Sequence, residues 1–434
     1  MHTRKAMTHA LQTPFWSTLL LVVAVALSGT EDLHAQPFGE ANKITTSADG
    51  AASIYATDID GDGDTDVLSA SQFDNTIAWY EHHGQANPSF TTRTITTNAD
   101  SAYSVFATDV DGDGDTDVLS ASYHDDTIAW YENSGGSNPS FTARTISAVA
   151  AQSVYAADLD DDGDTDILSA STSSPKSEHL DFLPASDTVE WYEHDGRTDP
   201  WFTEHTITTE ADADDARSVF ATDVDGDGDT DVLSASSFDN TIAWYENDGR
   251  VHPSFTKRTI TTNADGATSV FATDVDGDGD TDVLSASEFD DTIAWYEHDG
   301  TATPAFTKRT ITTNADSARS VFATDVDGDG DTDVLSASYG DDKIAWYEHD
   351  GTADPAFSKR TITTDAYSAT GVFATDVDGD GDTDVLSASS GDGTIAWYEN
   401  KRITAPRLTG PPRLTTTRPT FTDANGDNRL TAGE

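Results

Sequence analysis

The amino-acid sequence predicts an all-β protein, a seven-bladed β-propeller of four-stranded antiparallel blades. Two observations carry this expectation. A nine-residue acidic segment recurs seven times, starting at residues 58, 109, 158, 223, 274, 325 and 376, and "WYE" follows each copy, at 79, 130, 191, 244, 295, 346 and 397. The starts are 51, 49, 65, 51, 51 and 51 residues apart, so one unit is repeated in frame, and a period of this length marks a repeat architecture. Each unit also holds four short strand-like runs with turn signals between them and no helical periodicity.

The unit from 218 to 262 shows the elements in order. "SVFATD" is a short run with β-branched and aromatic residues, and the acidic segment follows it. "DVLSAS" is the second run and "SFDN" a tight polar turn. "TIAWYE" is the third, with Ile242 and Trp244 on one face and Ala243 and Tyr245 on the other. "NDGRVHPS" is a loop, and "FTKRTITT" is a Thr-rich fourth run. β-branched and aromatic residues suit pleated, packed strands. The inner runs are apolar on both faces, as blades packed between neighbours require. The paired bases Lys257 and Arg258, Lys308 and Arg309, and Lys359 and Arg360 fit an outer edge strand, where charge discourages pairing with other chains. The long spacing after the third acidic segment reflects about fourteen extra residues in "TSSPKSEHLDFLPAS" (172–186).

The ends suggest a closed ring. "KITTSADGAAS" (43–53) matches "RTITTNADGATS" (258–269), so it is a fourth strand without the three before it. The last unit runs "WYENKRIT" (397–404), ending in another piece resembling a fourth strand. One of the two, 43–46 or 401–404, is expected to complete a blade built from both chain ends, leaving no open sheet edge at the joint. The expected organisation is an export signal over 1–35, the propeller over 36–404, a Pro/Thr-rich linker over 405–422 and an EF-hand-like or dockerin-like fragment over 423–434. Arg4 and Lys5 precede a short apolar stretch, "LLLVVAVAL" (19–27), with cleavage fitting after Ala35 or after Ser28. The other reading of this stretch is a retained membrane anchor. With the signal removed, the chain is expected to be secreted or displayed at the cell surface, with no membrane span.

The net charge is −56, from 79 acidic and 23 basic residues, and the seven acidic segments hold 36 of those acids. So acidic a surface argues against nucleic acid as a partner, because phosphate binding needs a basic one. There is no cysteine, which excludes disulfides and thiolate metal sites.

The acidic segments have the donor pattern of a cation loop. Asp at positions one, three, five and nine offers four carboxylates, and the carbonyl of position seven a fifth group. Hard oxygen donors in this number suit Ca²⁺, which takes six to eight oxygens. The residues are Asp58, Asp60, Asp62, Asp64 and Asp66 in the first unit, and Asp109, Asp111, Asp113, Asp115 and Asp117 in the second. They are Asp158, Asp160, Asp162, Asp164 and Asp166 in the third, and Asp223, Asp225, Asp227, Asp229 and Asp231 in the fourth. Asp274, Asp276, Asp278, Asp280 and Asp282 follow, then Asp325, Asp327, Asp329, Asp331 and Asp333, then Asp376, Asp378, Asp380, Asp382 and Asp384. Gly at six lets the chain turn sharply, and Gly at four, replaced by Asp161 in the third unit, relaxes the path. About seven Ca²⁺ per chain, one per blade, are expected. Position twelve is Ser234 or its equivalent rather than Glu, so the loop is a calcium-binding β-hairpin and not an EF-hand.

The pattern D-x-D-x-D-G-x-x-D between two strands, repeated in a propeller, resembles the FG-GAP repeats of integrin α-subunit propellers. It is also similar to bacterial VCBS or FG-GAP repeat-containing proteins, the bacterial branch through its "IAWYEN" segment in particular. The resemblance covers about 43–404. It implies side-chain ligands at positions one, three, five and nine, a carbonyl ligand at seven, secretion, calcium-dependent stability, and adhesion or glycan binding. It does not fix an activity.

A second acidic pattern lies at the C-terminus. Asp423, Asn425, Asp427, Thr431 and Glu434 occupy positions one, three, five, nine and twelve of an EF-hand-like loop, with Asn428 where Gly is usual. It resembles the calcium loop of dockerin or EF-hand modules, cut off at its last ligand. Histidines after "WYE" (His82, His194, His298, His349) alternate with Asn133, Asn247 and Asn400 in other copies, which predicts an exposed turn. No catalytic residue stands out. The expected function is a calcium-binding propeller acting as a binding or adhesion module for glycans or extracellular proteins. The alternatives are a polysaccharide-degrading lyase or hydrolase on this scaffold, and a purely structural module of a surface protein. The turns "QFDN" (72–75), "YHDD" (123–126), "SFDN" (237–240), "EFDD" (288–291) and "YGDD" (339–342) lie opposite the acidic loops and read either as ordinary solvated hairpin turns or as the face on which a ligand would dock, near 172–186.

Overall fold

A computed structural model of the protein describes residues 37–84, 88–147, 150–172, 187–209 and 213–401. These residues form seven four-stranded antiparallel sheets. Six sheets are continuous in sequence, over 51–96, 102–147, 151–208, 216–261, 267–312, 318–363. The seventh takes its first three strands from Ala369–Thr375, Asp384–Ser389 and Thr394–Tyr398, and its fourth from Asn42–Thr45 near the N-terminus. Asn42 pairs with Trp397 and Lys43 with Ala396. Of the two expected closing segments, the N-terminal one therefore makes the joint. Outside that strand, Phe38 bridges Asn400, and the Lys401 N–H donates to the Pro37 carbonyl at 2.7 Å. Residues 402–404 lie outside the described residues, as do 1–36, 173–186 and the C-terminal pattern. No helix among the described residues is long and apolar enough to cross a membrane.

Alternation along the third strand places the core. Ile242 and Trp244 pack with Ala267, Val270 and Tyr296 of the following blade. Ala243 and Tyr245 pack with Leu168 and Trp191 of the preceding blade. The same two-sided arrangement recurs around the ring, so every interior blade face is a blade–blade interface. Truncating one such buried aromatic to Ala costs about 3–5 kcal/mol.

The first strand of each blade faces the centre. There Tyr55, Phe106, Tyr155, Phe220, Phe271, Phe322 and Phe373 form a closed circle of half-buried rings, with neighbouring centroids 4.6–5.1 Å apart. Two positions earlier a serine hydroxyl receives the backbone N–H of the next blade, as from Val105 to Ser53 at 3.4 Å and from Val372 to Ser320 at 3.4 Å. At the joint between the last and first blades that serine is Gly371, and a Cβ there would lie 3.3 Å from Ile54 Cγ2. The circle of rings is thus complete while the circle of hydroxyls is broken at the seam.

The outer strand carries the bases, as expected. Its arginine pairs with the "WYE" glutamate on the adjacent strand, as Arg93 with Glu81 at 2.7 Å, Arg309 with Glu297 at 2.7 Å, and Arg360 with Glu348.

Removal of residues 37–46 would leave Thr394–Tyr398 as an open edge in a three-stranded blade. Such a variant is expected to melt lower and to associate with rising concentration through that edge, measured by calorimetry and light scattering. A monomeric variant with an unchanged melting temperature would show that the N-terminal strand is dispensable.

Candidate metal loops

Each acidic loop joins the first strand of a blade to the second, and position nine is the first residue of the second strand. Backbone conformation sets the glycine positions. Gly61 and Gly63, at four and six, have φ of +72° and +93°, and no atom lies within 4 Å of where a Cβ would stand. The need is for the left-handed conformation, not for space. In the third blade Asp161 adopts this conformation at position four, with φ 59°.

The carboxylates shape the loop by accepting its N–H groups. Asp58 accepts from Gly61 at 2.8 Å through Oδ1 and from Gly63 at 2.9 Å through Oδ2. Asp60 accepts from Asp62 at 3.2 Å, and Asp62 from Asp64 at 3.0 Å. Position nine is different in kind. Asp66 is fully buried, and its two oxygens accept the N–H of Ile59 at 3.1 Å and of His82 at 2.7 Å. Every blade repeats this, through Asp117, Asp166, Asp231, Asp282, Asp333 and Asp384. One carboxylate thereby ties the start of the loop to the end of the third strand.

Carboxylate oxygens converge at the loop floor. In the first blade one oxygen each from Asp58, Asp60 and Asp62 lie within 4.8 Å of one another. In the next four blades the trios are Asp109, Asp111 and Asp117; Asp158, Asp160 and Asp166; Asp223, Asp225 and Asp231; and Asp274, Asp276 and Asp282. Positions one, three and five or nine thus come together, as the sequence pattern suggests. Burial raises the position-nine carboxyls against the lowering effect of their N–H donors, to about 7 for Asp231 and about 8 for Asp166. At position three, burial first and the neighbouring position-five charge second raise Asp60, Asp111 and Asp225, and Asp160 to about 6. Desolvation disfavours the charged form of each carboxylate, and a cation among them would offset both effects.

Position seven turns away from the trio. The side chains of Asp64, Asp164 and Asp280 lie against Gly84, Gly196 and Gly300 of the neighbouring loop, where a Cβ would collide with their Oδ2 atoms. Only a main-chain group of position seven is then left for the loop floor.

The histidines after "WYE" are buried, contrary to the exposed turn expected. His82, His194, His298 and His349 are 2–4 % exposed, and Asn133, Asn247 and Asn400 are 1–3 % exposed. In five of the seven blades histidine and asparagine offer the same acceptor to a glycine N–H two residues on. His298 Nδ1 receives the Gly300 N–H at 3.0 Å, and Asn247 Oδ1 receives the Gly249 N–H at 3.1 Å. Asparagine also reaches across blades, as Asn133 Nδ2 donates to the Ile59 carbonyl at 2.9 Å. Each of these residues lies at or just past the end of a buried third strand, 16 residues after position nine in six blades and 28 after it in the third, where the insertion intervenes.

The turns between second and third strands lie on the face opposite the acidic loops. Phe73, Phe238, Phe289 and Tyr339 are 40–69 % exposed there, whereas Tyr123 is only partly so. Asp423, Asn425, Asp427 and Glu434, and the segment 173–186, lie outside the described residues.

Seven four-stranded blades, each with an aspartate loop between its first two strands, define a repeat-built β-propeller. The chain belongs to the FG-GAP-like repeat family, whose profile matches 58–120, 109–169, 223–285, 274–336, 325–387 and 376–430. Among solved structures the fold is similar to BBS1N in crystals of its complex with ARL6DN, soaked with mercury or with lead. In both the TM-score is 0.53 at 9 % identity, over 85 % of this chain and 98 % of that one for the mercury soak, and 84 % and 97 % for the lead soak. No curated protein matches the chain.

Two substitutions test the loop. Asp161→Gly removes a side chain from a left-handed position and is expected to stabilise by about 0.5–1 kcal/mol, read as a small rise in melting temperature. A fall would mean that the Asp161 carboxylate itself has a use. Asp231→Asn keeps the shape but sets an amide donor against a backbone N–H, and is expected to cost about 1–3 kcal/mol in chemical denaturation. A cost near zero would remove position nine from its anchoring role.

Proposed function

We propose that the protein is an exported binding module whose propeller is held by about seven calcium ions, one per acidic loop. The observation that carries the reading is the convergence of carboxylate oxygens within 4.8 Å in loop after loop. The donor set is oxygen only, which fits a hard cation such as Ca²⁺ and not a thiolate- or imidazole-preferring metal. Positions one, three and five would hold the ion with a main-chain oxygen of position seven, and position nine would close the set from below. Bound there, calcium supplies neutralisation of like charges and a cross-link between two strands. Export is supported by the basic start and apolar stretch of 1–35, and weak extracellular sites fill at calcium concentrations on the order of 10⁻⁴–10⁻³ M.

The binding role is supported by the face opposite the loops. Phe73, Phe238, Phe289 and Tyr339 stand there beside turn carboxylates, and surface aromatics in such a row suit an interface. An extracellular protein or a glycan is the partner class proposed. The similar BBS1N propeller was crystallised with a protein, ARL6DN, which supports the protein side of that choice.

Titration of chelator-treated protein is expected to count about seven Ca²⁺, and chelation to lower the melting temperature, since a ligand of the folded state alone stabilises it. Asp225→Asn with Asp227→Asn should remove one site and leave the others nearly unchanged, as quasi-independent repeats imply. Fewer than about four ions would overturn the assignment.

A further inference from the structure

We propose that the cleft between the outer parts of the second and third blades is a subsite for a neutral pyranose, with Trp201 as its stacking platform. The inference goes beyond the calcium reading and does not depend on it. The cleft has a volume of about 350 Å³ and is lined by Trp130, Arg144, Arg197, Asp199, Trp201 and Phe202 among others. Small-molecule sites begin at roughly 300 Å³.

Trp201 is a departure from the repeat. The residue before the phenylalanine of the fourth strand is Ser89, Ser140, Ser254, Ala305 or Ala356 in other blades. The loop itself is unaltered. The Trp201 N–H donates to Asp195 Oδ1 at 3.1 Å, just as Ser254 N–H does to Asp248 at 3.0 Å and Ala305 N–H to Asp299 at 3.1 Å. The indole therefore adds nothing to the loop's own bonding. It is 73 % exposed, whereas the other seven tryptophans of the described residues are at most 4 % exposed. A large aromatic surface left in water, in one blade only and at the wall of a cleft, points to a ligand.

The polar wall is already in place. Arg144 is held by Glu132 at 2.6 Å and by Asp199 at 2.6 Å, and its guanidinium lies 5.1 Å from the centre of the Trp130 ring. Arg197 makes one bridge to Asp195 at 3.0 Å and is itself 73 % exposed in its side chain, so its remaining donors are free to turn to a ligand. An aromatic face beside fixed donors and acceptors matches a pyranose, whose C–H face is apolar and whose hydroxyls both donate and accept. An apolar ring would cover the indole but leave Arg197 and Asp199 without new partners, losing their hydration for nothing. The cleft's two guanidiniums are balanced by Glu132, Asp195 and Asp199 within a chain of net charge −56, which favours a neutral sugar over a uronate.

The structure provides its own reporter, since Trp201 is the one exposed indole among the described residues. In protein carrying Trp16→Phe, which removes the tryptophan outside the described residues, acrylamide quenching of tryptophan emission should show one accessible component that Trp201→Ser abolishes. Cellotetraose, maltotetraose and mannotetraose are the probes, with tetragalacturonate as the acidic arm, each to about 10 mM, high enough to register a Kd of about 1 mM. At least one neutral tetrasaccharide is expected to shield the accessible component. Its affinity by calorimetry should fall at least tenfold in Trp201→Ser and severalfold in Arg197→Ala, with melting temperature and calcium stoichiometry unchanged in both. Shielding by none of the neutral probes, equal affinity in Trp201→Ser, or tighter binding of tetragalacturonate would each overturn the proposal. An altered calcium count in wild-type protein would bear on the metal loops alone.

Discussion

One buried carboxylate per blade is the constraint on which the rest depends. The aspartate opening the second strand is shut away from solvent, with two backbone N–H donors and a set of like charges above it. Its partners fix where the loop begins and where the third strand ends, and hence where the other carboxylates gather. The cost of burying it is not recovered by the two N–H groups alone, because burial still raises its proton affinity. A divalent ion beside it would change that balance. The same residue thus makes each blade hold its shape locally, and through it a cation in the loop would act on the whole blade.

Much of this was legible in the letters. Seven frames of "WYE" gave the blade number, and Ile/Trp against Ala/Tyr gave both packing faces, because alternation in a strand maps directly onto its two sides. The closing blade was legible only as a choice between two segments, since Thr- and Ile-rich pieces at both ends satisfy the same pattern. The burial of His82, His194, His298 and His349 was not legible. Polar residues that interchange look like surface, and here the property that His194, His298 and His349 share with Asn133 and Asn247 is an acceptor for a glycine N–H, which is visible only in three dimensions. The circle from Tyr55 to Phe373 was also missed: each ring reads as an ordinary strand residue until the first strands are brought together around one axis.

Repetition and exception divide the labour in this molecule. The repeated residues make interfaces, and apart from Gly371 at the seam the exceptions described gather in the third blade. There Asp161 takes a glycine's conformation, Glu190 replaces a small core alanine, and Trp201 replaces a serine. Glu190 is buried and receives the Tyr192 hydroxyl at 2.9 Å, where other blades pair that tyrosine with a serine. Burial raises its proton affinity. Each of these changes leaves the strand pairing of the blade intact, so a nearly symmetric frame acquires one distinctive sector.

The joint between Asn42–Thr45 and Thr394–Tyr398 has a consequence for the order of assembly. The strand Asn42–Thr45 is made before the first continuous blade, yet its partner follows the sixth. Six blades can form from neighbouring sequence, while the seventh waits for strands on both sides of them. The equilibrium penalty for so long a closure is modest, since each doubling of loop length adds only about 0.6 kcal/mol. The kinetic penalty is larger, because contacts distant in sequence form slowly. Until closure the last blade presents a bare edge, and near-identical units offer it wrong partners in other chains. On these grounds the seam is expected to close last and to be the place most open to misassembly.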